Sequence, residues 1–272
     1  MAILLSGDFH NGACGEMRLI NRKRLLSCYE KELYDKIKYH IILGDAGFLW
    51  PEYNDYKNID LENFKELSER KFPILCVMGN HEPVYGMTDL PEEDIGIGEK
   101  VIVVNRKNPF VAYLKRGKIY QIDGYKVLVL GGALSTDKDR RVEGESWWKE
   151  EYWSDEERAD IFKLLKNENE FDFVLSHTGP HSVNRKLAGL GVPNRHGKMD
   201  DKVGELNDEI DKRTNFRAWF CGHWHYDYLD DFMGSEDDLP KTKKYCYLYN
   251  YTALIEDDKL ILSKAWGVLT KL

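Results

Sequence analysis

The chain has 272 residues, of which 42% are hydrophobic and 32% are charged, and its net charge is −8. This mixture is typical of a globular protein and excludes a disordered or fibrous one. The negative charge argues against a long, non-specific grip on duplex nucleic acid, which needs many Lys and Arg on one face. The length fits one α/β domain over residues 1–272, with insertions near residues 135–157 and 181–215.

The sequence pattern predicts neither a targeting segment nor a membrane span. Its start, MAILLSGDFH, lacks a basic region, and its apolar run is too short for a signal peptide. The longest apolar stretch, near residues 127–134, is far shorter than the roughly 18 residues of a membrane span. The five cysteines are an odd number without CxxC pairs, which indicates free thiols. We therefore predict a cytoplasmic protein without a membrane partner.

The predicted elements alternate between strands and helices in the first half, and strands dominate the second half. Apolar, β-rich runs predict strands at residues 2–6, 40–44, 73–78, 101–104, 118–122, 125–131, 172–176, 216–221, 246–255 and 259–264. Helical patterns cover residues 17–38, 59–70, 154–167 and 200–212, and SDEE gives the third a capping-box start. This order indicates an α/β protein with a mixed sheet or two packed sheets.

Polar residues that can bind metals follow the predicted strands. In open α/β sheets, sites form beyond the carboxyl ends of the strands. The residues found there, in chain order, are Asp8, His10, Asp45, Asn80, His81, Glu82, His177, His223 and His225. These include five of the eight histidines. A buried structural histidine is the ordinary interpretation of any one of them, but the concentration as a whole favours a metal centre.

The residue types narrow the choice of metal. If residues 8–10 are extended, Asp8 and His10 point the same way and can converge on one ion. Imidazole, carboxylate and amide ligands suit manganese, iron, cobalt, nickel or zinc, and the lack of thiolates argues against a structural zinc site. Seven candidate ligands exceed the needs of one tetrahedral ion, whereas two ions sharing a bridging carboxylate would use them all. No GxSxG motif suggests a serine nucleophile.

The motif series resembles the signature of the calcineurin-like metallophosphoesterases, in the family's order over residues 8–225. It consists of Asp8-x-His10, Gly44-Asp45, Gly79-Asn80-His81-Glu82, His177 and Gly222-His223-x-His225. The resemblance implies a four-layer αββα sandwich of two mixed β-sheets flanked by helices. It also implies one ion bound by Asp8, His10 and His225, a second bound by Asn80, His177 and His223, and Asp45 as the bridge.

The resemblance assigns catalytic roles to two further residues. His81 matches the family's non-ligand histidine near the leaving group, and Glu82 stands where many relatives carry Asp and is a candidate to orient His81. Two ions lower the pKa of a bridging water, which attacks the phosphate as hydroxide, and His81 can protonate the leaving group near pH 7. Manganese is the favoured metal, with iron, zinc, nickel or cobalt as alternatives.

The predicted function is hydrolysis of phosphate esters by a phosphodiesterase or nucleotide hydrolase. A phosphomonoesterase, a protein phosphatase or a nuclease remain as alternative enzymes, and a metal-binding scaffold without catalysis is the alternative from another class. The complete set of ligands, together with His81, argues against the scaffold. The sequence does not indicate an oligomeric state.

Residues 131–157 are rich in Arg and Trp, and similar segments occur in bacterial and phage members of the family. Arg140, Arg141 and Trp147, together with His181, are candidates for substrate binding, with guanidinium on phosphate and indole against a base. The aromatic residues could equally cover the core or an oligomer interface. The glycines at positions 44, 79 and 222 are expected to let the backbone approach the ions. His40 is expected to precede its strand, away from the site.

Overall fold

Two β-sheets pack face to face and carry helices on their outer surfaces. The computed structural model describes residues 1–10, 21–49, 67–82, 89–189, 202–230 and 236–266. The helices are α1 (Arg22–Cys28), α2 (Lys31–Lys36), α3 (Asp155–Leu165), α4 (His181–Gly189) and α5 (Lys202–Asp211), and two short 3₁₀ turns cover Lys138–Arg140 and Lys149–Glu151.

Sheet 1 has nine strands and sheet 2 has six among the described residues. The order in sheet 1 is β12 (Glu236–Asp238), β15 (Lys259–Lys264), β14 (Tyr251–Glu256), β1 (Ala2–Ser6), β2 (Ile37–Ile42), β3 (Ile74–Cys76), β6 (Val111–Tyr113), β5 (Val101–Asn105) and β4 (Glu92–Glu93). The order in sheet 2 is β11 (Tyr228–Leu229), β13 (Lys244–Tyr247), β10 (Asn215–Cys221), β9 (Glu170–Leu175), β8 (Tyr125–Val129) and β7 (Lys118–Ile122).

Both sheets are mixed, with a parallel centre and antiparallel edges. Strands β1, β2, β3 and β6 are parallel in sheet 1, and β8, β9, β10 and β13 are parallel in sheet 2. Because the carboxyl ends of parallel strands lie at one edge of a sheet, the residues that follow these strands can meet there.

Alternating side chains produce the four layers. In β1, Ile3 and Leu5 pack between the sheets, whereas Ala2 and Leu4 pack on the opposite face with residues of α1 and α2. In sheet 2, Leu175 points inward and Trp219 packs outward with residues of α3, α4 and α5. The prediction of a four-layer αββα sandwich is confirmed.

The capping box at the start of α3 is also confirmed. The Ser154 side chain accepts from the Glu157 backbone, and the Glu157 side chain accepts in return from the Ser154 backbone N–H. The predicted helix at residues 200–212 corresponds to α5 in its described part, with Val203, Leu206 and Ile210 buried as expected.

The prediction of one helix over residues 17–38 is wrong over its described part. Two short helices replace it: α1 stops at Tyr29, whose backbone is extended, and β2 begins at Ile37. The Tyr29 hydroxyl hydrogen-bonds Thr252 of sheet 1 at 2.6 Å, so packing on the sheet outweighs helix continuation. Residues 17–20, and residues 59–66 of the predicted helix at 59–70, lie outside the described residues.

Two further sequence predictions fail because of the sheets. The single strand predicted at residues 246–255 is two strands, β13 in sheet 2 and β14 in sheet 1, so the chain crosses between sheets within that apolar run. His40 lies inside β2 instead of before it, where it is buried and its ring nitrogens lie 2.8 Å from Ser6 Oγ and 2.8 Å from Arg70 Nη1.

The described cysteines agree with the prediction of free thiols. Cys28, Cys76, Cys221 and Cys246 form no disulfide, and three of them are buried. Within the portion of the chain that the structure describes, no helix combines the length and apolar character needed to cross a membrane.

Candidate metal centre

The loops that follow the strands of both sheets bring the predicted ligands together. Ligand atoms of Asp8, His10 and His225, here called the Asp8 group, all lie within 4.8 Å of one another. Ligand atoms of Asp45, His177 and His223 do the same. Asn80 adjoins them, with its Oδ1 3.1 Å from His177 Nε2, and these four residues are here called the Asp45 group. His10, Asp45 and His81 form a third such cluster, which connects the two groups.

Left-handed backbone places most of these side chains. Five of the predicted ligands have a positive φ, namely Asp8 (46°), His10 (50°), Asp45 (50°), His223 (70°) and His225 (52°). This conformation is costly for non-glycine residues and concentrates at functional sites. The expectation that residues 8–10 are extended is therefore wrong. Asp8 and His10 converge through a turn, in which the His10 N–H donates to the Asp45 carbonyl at 2.8 Å.

Three motif glycines leave room for the ligand side chains. A Cβ at Gly44 would lie 2.2 Å from His177 Nδ1, one at Gly79 would lie 2.1 Å from Asp45 Oδ1, and one at Gly222 would lie 2.6 Å from Asp8 Oδ2. Glycine is required at these positions because any side chain would displace a predicted ligand.

The Asp45 carboxylate connects its own group with the Asp8 group, because it also clusters with His10. Its Oδ1 accepts the backbone N–H groups of Asn80 and His81 at 3.1 Å each, and its Oδ2 lies 3.2 Å from His177 Nε2. Burial opposes ionisation of Asp45, but the surrounding histidines, His177 foremost, together outweigh it and hold the pKa of Asp45 well below its usual range. Burial likewise opposes protonation of His177, but the Asp45 carboxylate raises its pKa to about 10.

The Asp8 carboxylate binds the loop that follows β10. Both of its oxygens accept the His223 backbone N–H at 3.0 Å. Burial raises the pKa of Asp8 to about 6, although His177 and His10 oppose the shift. The Nε2 atoms of His10 and His225 lie 2.9 Å apart, and the His225 ring stacks on Tyr249 at a centroid distance of 4.6 Å.

The donor set fits divalent metal ions. His223 Nε2 is buried, and no described residue forms a hydrogen bond with it. Burial and the neighbouring His177 keep the pKa of His223 well below its usual range, so the ring is neutral and has a lone pair to offer a metal. His177 Nδ1 lies 2.7 Å from the Leu43 carbonyl and can donate to it, an arrangement that directs Nε2 toward the Asp45 group, as is usual for metal-binding histidines.

His81 is held by Arg141 from the Arg- and Trp-rich segment. Arg141 Nη1 lies 2.7 Å from His81 Nδ1. Arg141 Nη2 also lies 3.4 Å from His81 Nε2, which is 3.7 Å from Asp45 Oδ2. Because a guanidinium only donates and the contact with Nδ1 is the shorter one, we assign the acceptor role to Nδ1 and the ring proton to Nε2. Burial lowers the pKa of His81 to about 4, with Asp45 opposing and Arg141 adding to the shift. The ring is therefore neutral near pH 7 in the ion-free chain.

Glu82 connects two motif loops through their backbones. Its carboxylate accepts N–H groups from Asp45, Ala46 and Gly47 in one loop and from Gly79 in the other, and also the Tyr113 hydroxyl. Burial raises the pKa of Glu82 to about 7, with Asp45 adding to the shift and the backbone donors opposing it. The hydrogen bond that orients the His81 ring comes from Arg141, and Glu82 shapes the loops beneath it.

The four candidate substrate-binding residues have different surroundings. Arg141 contacts His81, whereas Arg140 is exposed in the 3₁₀ turn. Trp147 is buried, and Lys138 Nζ covers its ring at 3.9 Å. His181 begins α4, and its backbone faces Gly204 of α5.

Sequence reasoning missed three residues that support the centre. Ser135 accepts a hydrogen bond from Asn80 Nδ2 at 3.0 Å and donates one to Glu151 at 2.6 Å. Asp227 accepts the backbone N–H groups of residues 249–251 and so fixes the loop that stacks on His225. The position of Asp227 two residues after the last motif histidine was a usable signal, but Ser135 and Glu151 carry none.

Comparisons with known proteins give one family match. A family model described as calcineurin-like phosphoesterase matches residues 1–227. No curated protein matches the chain. One crystal structure, 13% identical, covers 97% of this chain and 99% of its own with a TM-score of 0.49. Another, described as "GAP50 the anchor in the inner membrane complex of Plasmodium", is 9% identical and covers 97% of this chain and 78% of its own with a TM-score of 0.45. At these TM-scores neither likeness bears on function.

Proposed function

The chain belongs to the calcineurin-like phosphoesterase family, and we propose that it is a phosphodiesterase or nucleotide hydrolase that works with two divalent metal ions, manganese being favoured. Family members are hydrolases of phosphate esters. The observation that supports the proposal is the arrangement of the two ligand groups, which adjoin through His10 and Asp45 with His81 beside them.

We assign the ligands by the grouping of their donor atoms. Asp8, His10 and His225 would hold one ion, Asn80, His177 and His223 would hold the other, and Asp45 would be shared. When bound, such a pair of ions makes water acidic enough to attack at neutral pH and neutralises the phosphoryl oxygens. The protein positions the ligands in advance through left-handed loops and buried hydrogen bonds.

His81 would serve the leaving group. Its Nε2 proton faces the centre because Arg141 occupies Nδ1. As the ester bond breaks, the Nε2–H would donate a hydrogen bond to the departing oxygen, and the nearby guanidinium of Arg141 would stabilise the negative charge that develops there. Because the neutral ring keeps its Nε2 proton, the departing oxygen takes its proton from water. Arg141 therefore both orients His81 and lies close to the reacting phosphate.

Charge near the centre favours a diester over a monoester. The guanidinium of Arg141 hydrogen-bonds to His81 at the centre, and it is already shared with Asp137. A phosphodiester carries one negative charge and needs less compensation than a dianionic monoester. Tyr226, which follows His225, is 38% exposed and offers an aromatic face for a nucleobase.

The test compares two chromogenic esters. Protein stripped of metal and reloaded with Mn²⁺ is assayed with bis(p-nitrophenyl) phosphate and p-nitrophenyl phosphate. We expect faster turnover of the diester and loss of both activities in Asp45→Asn. Asp208→Asn serves as the control, because Asp208 accepts from Ser182 at the start of α4, away from the ligands.

The outcomes separate the candidate functions. Faster monoester turnover would replace the diesterase assignment with a phosphomonoesterase. Failure to hydrolyse either ester or a panel of nucleotides, with two ions bound, would leave a metal-binding scaffold. Wild-type activity in Asp45→Asn would refute the shared carboxylate.

A further inference from the structure

We propose that Ser135 and Glu151 are positioning residues: they hold the Asn80 amide with its oxygen toward the Asp45 group and so set the affinity of that group for its metal ion. The proposal rests on the proposed function, which makes Asn80 a ligand. It concerns two residues that lie outside every motif of the sequence and that reach the centre from the Arg- and Trp-rich segment.

The Asn80 side chain must present its oxygen to act as a ligand. An amide has a donor end and an acceptor end of nearly the same shape, so its orientation is set by its neighbours. Here Nδ2 donates to Ser135 Oγ at 3.0 Å, and Oδ1 lies 3.1 Å from His177 Nε2. Asn80 is buried, so water does not compete for either end.

Glu151 removes the ambiguity of the Ser135 hydroxyl. A hydroxyl can donate or accept, and a free one would accommodate either end of the amide. The Ser135 proton is used in the 2.6 Å bond to Glu151 Oε2, and the Ser135 backbone N–H also lies 3.3 Å from both carboxylate oxygens. Only the lone pairs of Oγ remain for Asn80, and they accept from the NH₂ end. A flipped amide would place two acceptors against each other.

The backbone on both sides of Glu151 is fixed. Arg116 donates to the Glu150 carbonyl at 2.7 Å and to the Tyr152 carbonyl at 3.0 Å, and it is itself paired with Glu157. Gly132, with a φ of +85°, lies so close that a Cβ would be 2.1 Å from the Glu151 carbonyl oxygen. The carboxylate is therefore held at one place relative to the loop that carries Ser135.

Glu151 is costly to bury, which argues that its position has a use. The residue is 2% exposed, and within the described part of the chain no Lys, Arg or His forms an ion pair with it. Burial raises its pKa to about 7, with the bonds from Ser135 opposing. A buried carboxyl without a cation is unfavourable for stability, whereas support of a ligand through hydrogen bonds is a common role for such groups near metals.

The test measures Mn²⁺ affinity of the full chain by calorimetry and equilibrium dialysis. Ser135→Ala leaves the Asn80 amide without its partner, and we expect one of the two ions to bind about 10- to 100-fold more weakly. The other ion should bind as in the wild type. Activity should return when Mn²⁺ is raised to saturate the weakened site, which a general loss of packing would not allow.

Three variants and one control make the test specific. Glu151→Leu removes the hydrogen-bond acceptor but keeps a side chain of similar size, so it should weaken the binding of the same ion. Glu151→Gln keeps an acceptor, so its Mn²⁺ affinity should stay within about threefold of the wild type. Ser135→Thr keeps the hydroxyl and should also retain affinity. Ser154→Ala, in the same segment, removes the serine cap of α3 and should lower stability without changing Mn²⁺ binding.

The inference and the proposed function fail in different ways. Wild-type protein that binds no Mn²⁺ or hydrolyses no phosphate ester would refute the proposed function. Wild-type protein that does both, with Ser135→Ala and Glu151→Leu indistinguishable from it in affinity for both ions, would overturn this inference alone. If Ser135→Ala does not fold, the comparison of Glu151→Leu with Glu151→Gln decides. Equal Mn²⁺ affinities of these two variants would also overturn the inference.

Discussion

The two halves of the candidate centre are held in different ways. In the Asp45 group the His177 side chain is fully buried, and backbone, Ser135 and Leu43 fix the side chains through hydrogen bonds. In the Asp8 group the His225 side chain is 29% exposed and is held by stacking on Tyr249. We call the Asp45 group the buried half and the Asp8 group the open half after these two side chains, although Asp8 and His10 are themselves buried.

Removal of one histidine from each half should give the largest difference. His177→Ala opens a sealed space beside Asp45, and we expect kcat/KM to fall on the order of 10³-fold. The kcat/KM of His225→Ala should fall less, on the order of 10²-fold, because water can replace an imidazole at a partly exposed position. The measurement is ester hydrolysis at saturating Mn²⁺.

Added imidazole makes this comparison sharper. It should restore much of the activity of His225→Ala, whose position solvent can reach, and none of the activity of His177→Ala. Equal rescue of both variants would show that the two halves are equally open and would contradict the distinction drawn above.

A glycine substitution tests the buried half without removing a ligand. Gly44 and Gly124 both have a φ of +89°, but a Cβ at Gly44 would lie 2.2 Å from His177 Nδ1 and one at Gly124 would contact nothing within 4 Å. Gly124→Ala therefore measures backbone strain alone, about 1 kcal/mol. Gly44→Ala should lower the free energy of unfolding by about 3 kcal/mol, which urea unfolding would detect. It should also weaken the binding of one Mn²⁺ ion, which calorimetry would detect. Similar losses in both variants would rule out the close approach as the reason for this glycine.

His81 should separate chemistry from metal binding. His81→Ala removes the hydrogen-bond donor to the departing oxygen but none of the assigned ligands, so hydrolysis should fall about 10²-fold while two Mn²⁺ ions stay bound. Arg141→Lys keeps the charge but loses the flat guanidinium that orients His81. We expect its rate of hydrolysis to fall less than that of His81→Ala. Loss of an ion from His81→Ala would show that His81 belongs with the ligands.

The sequence predicted which polar side chains lie together better than it predicted the elements that carry them. Apolar runs ending in Asp, Asn or His identified the strand ends because burial and polarity change abruptly there. The reason given for Asp8 and His10 was nevertheless wrong, since their φ values of 46° and 50° are those of a turn. Left-handed backbone at a non-glycine residue depends on tertiary contacts, such as the bond from His10 to the Asp45 carbonyl, that local sequence does not encode.

The supporting residues were beyond sequence reasoning for a different reason. Ser135 lies 55 positions after Asn80, and Glu151 lies 16 positions after Ser135. The three side chains form hydrogen bonds only when the segment after β8 folds over the end of β3. The long predicted helix at residues 17–38 failed similarly, because Tyr29 leaves the helical pattern to bond with Thr252 in the neighbouring sheet. Contacts between distant segments decide both cases.

The smallest expected effect is on stability and concerns the buried support itself. The pKa of Glu151 is about 7 in the folded chain, above its ordinary value of 4.5, so the folded state binds a proton more tightly than the unfolded state. Its contribution to stability is therefore fully present below pH 4.5 and is lost as the pH rises from 4.5 to about 7. Glu151→Gln stays neutral, so it should match the wild type near pH 4 and be more stable by about 1 to 3 kcal/mol at pH 8. Urea unfolding in the presence of a chelator measures this difference.

Asp8 and Glu82, whose pKa values are also raised, contribute equally to both proteins and cancel. A difference that does not grow between pH 4 and pH 8 would mean that Glu151 is charged at little cost, and the argument that its burial serves the Asp45 group would lose its energetic basis.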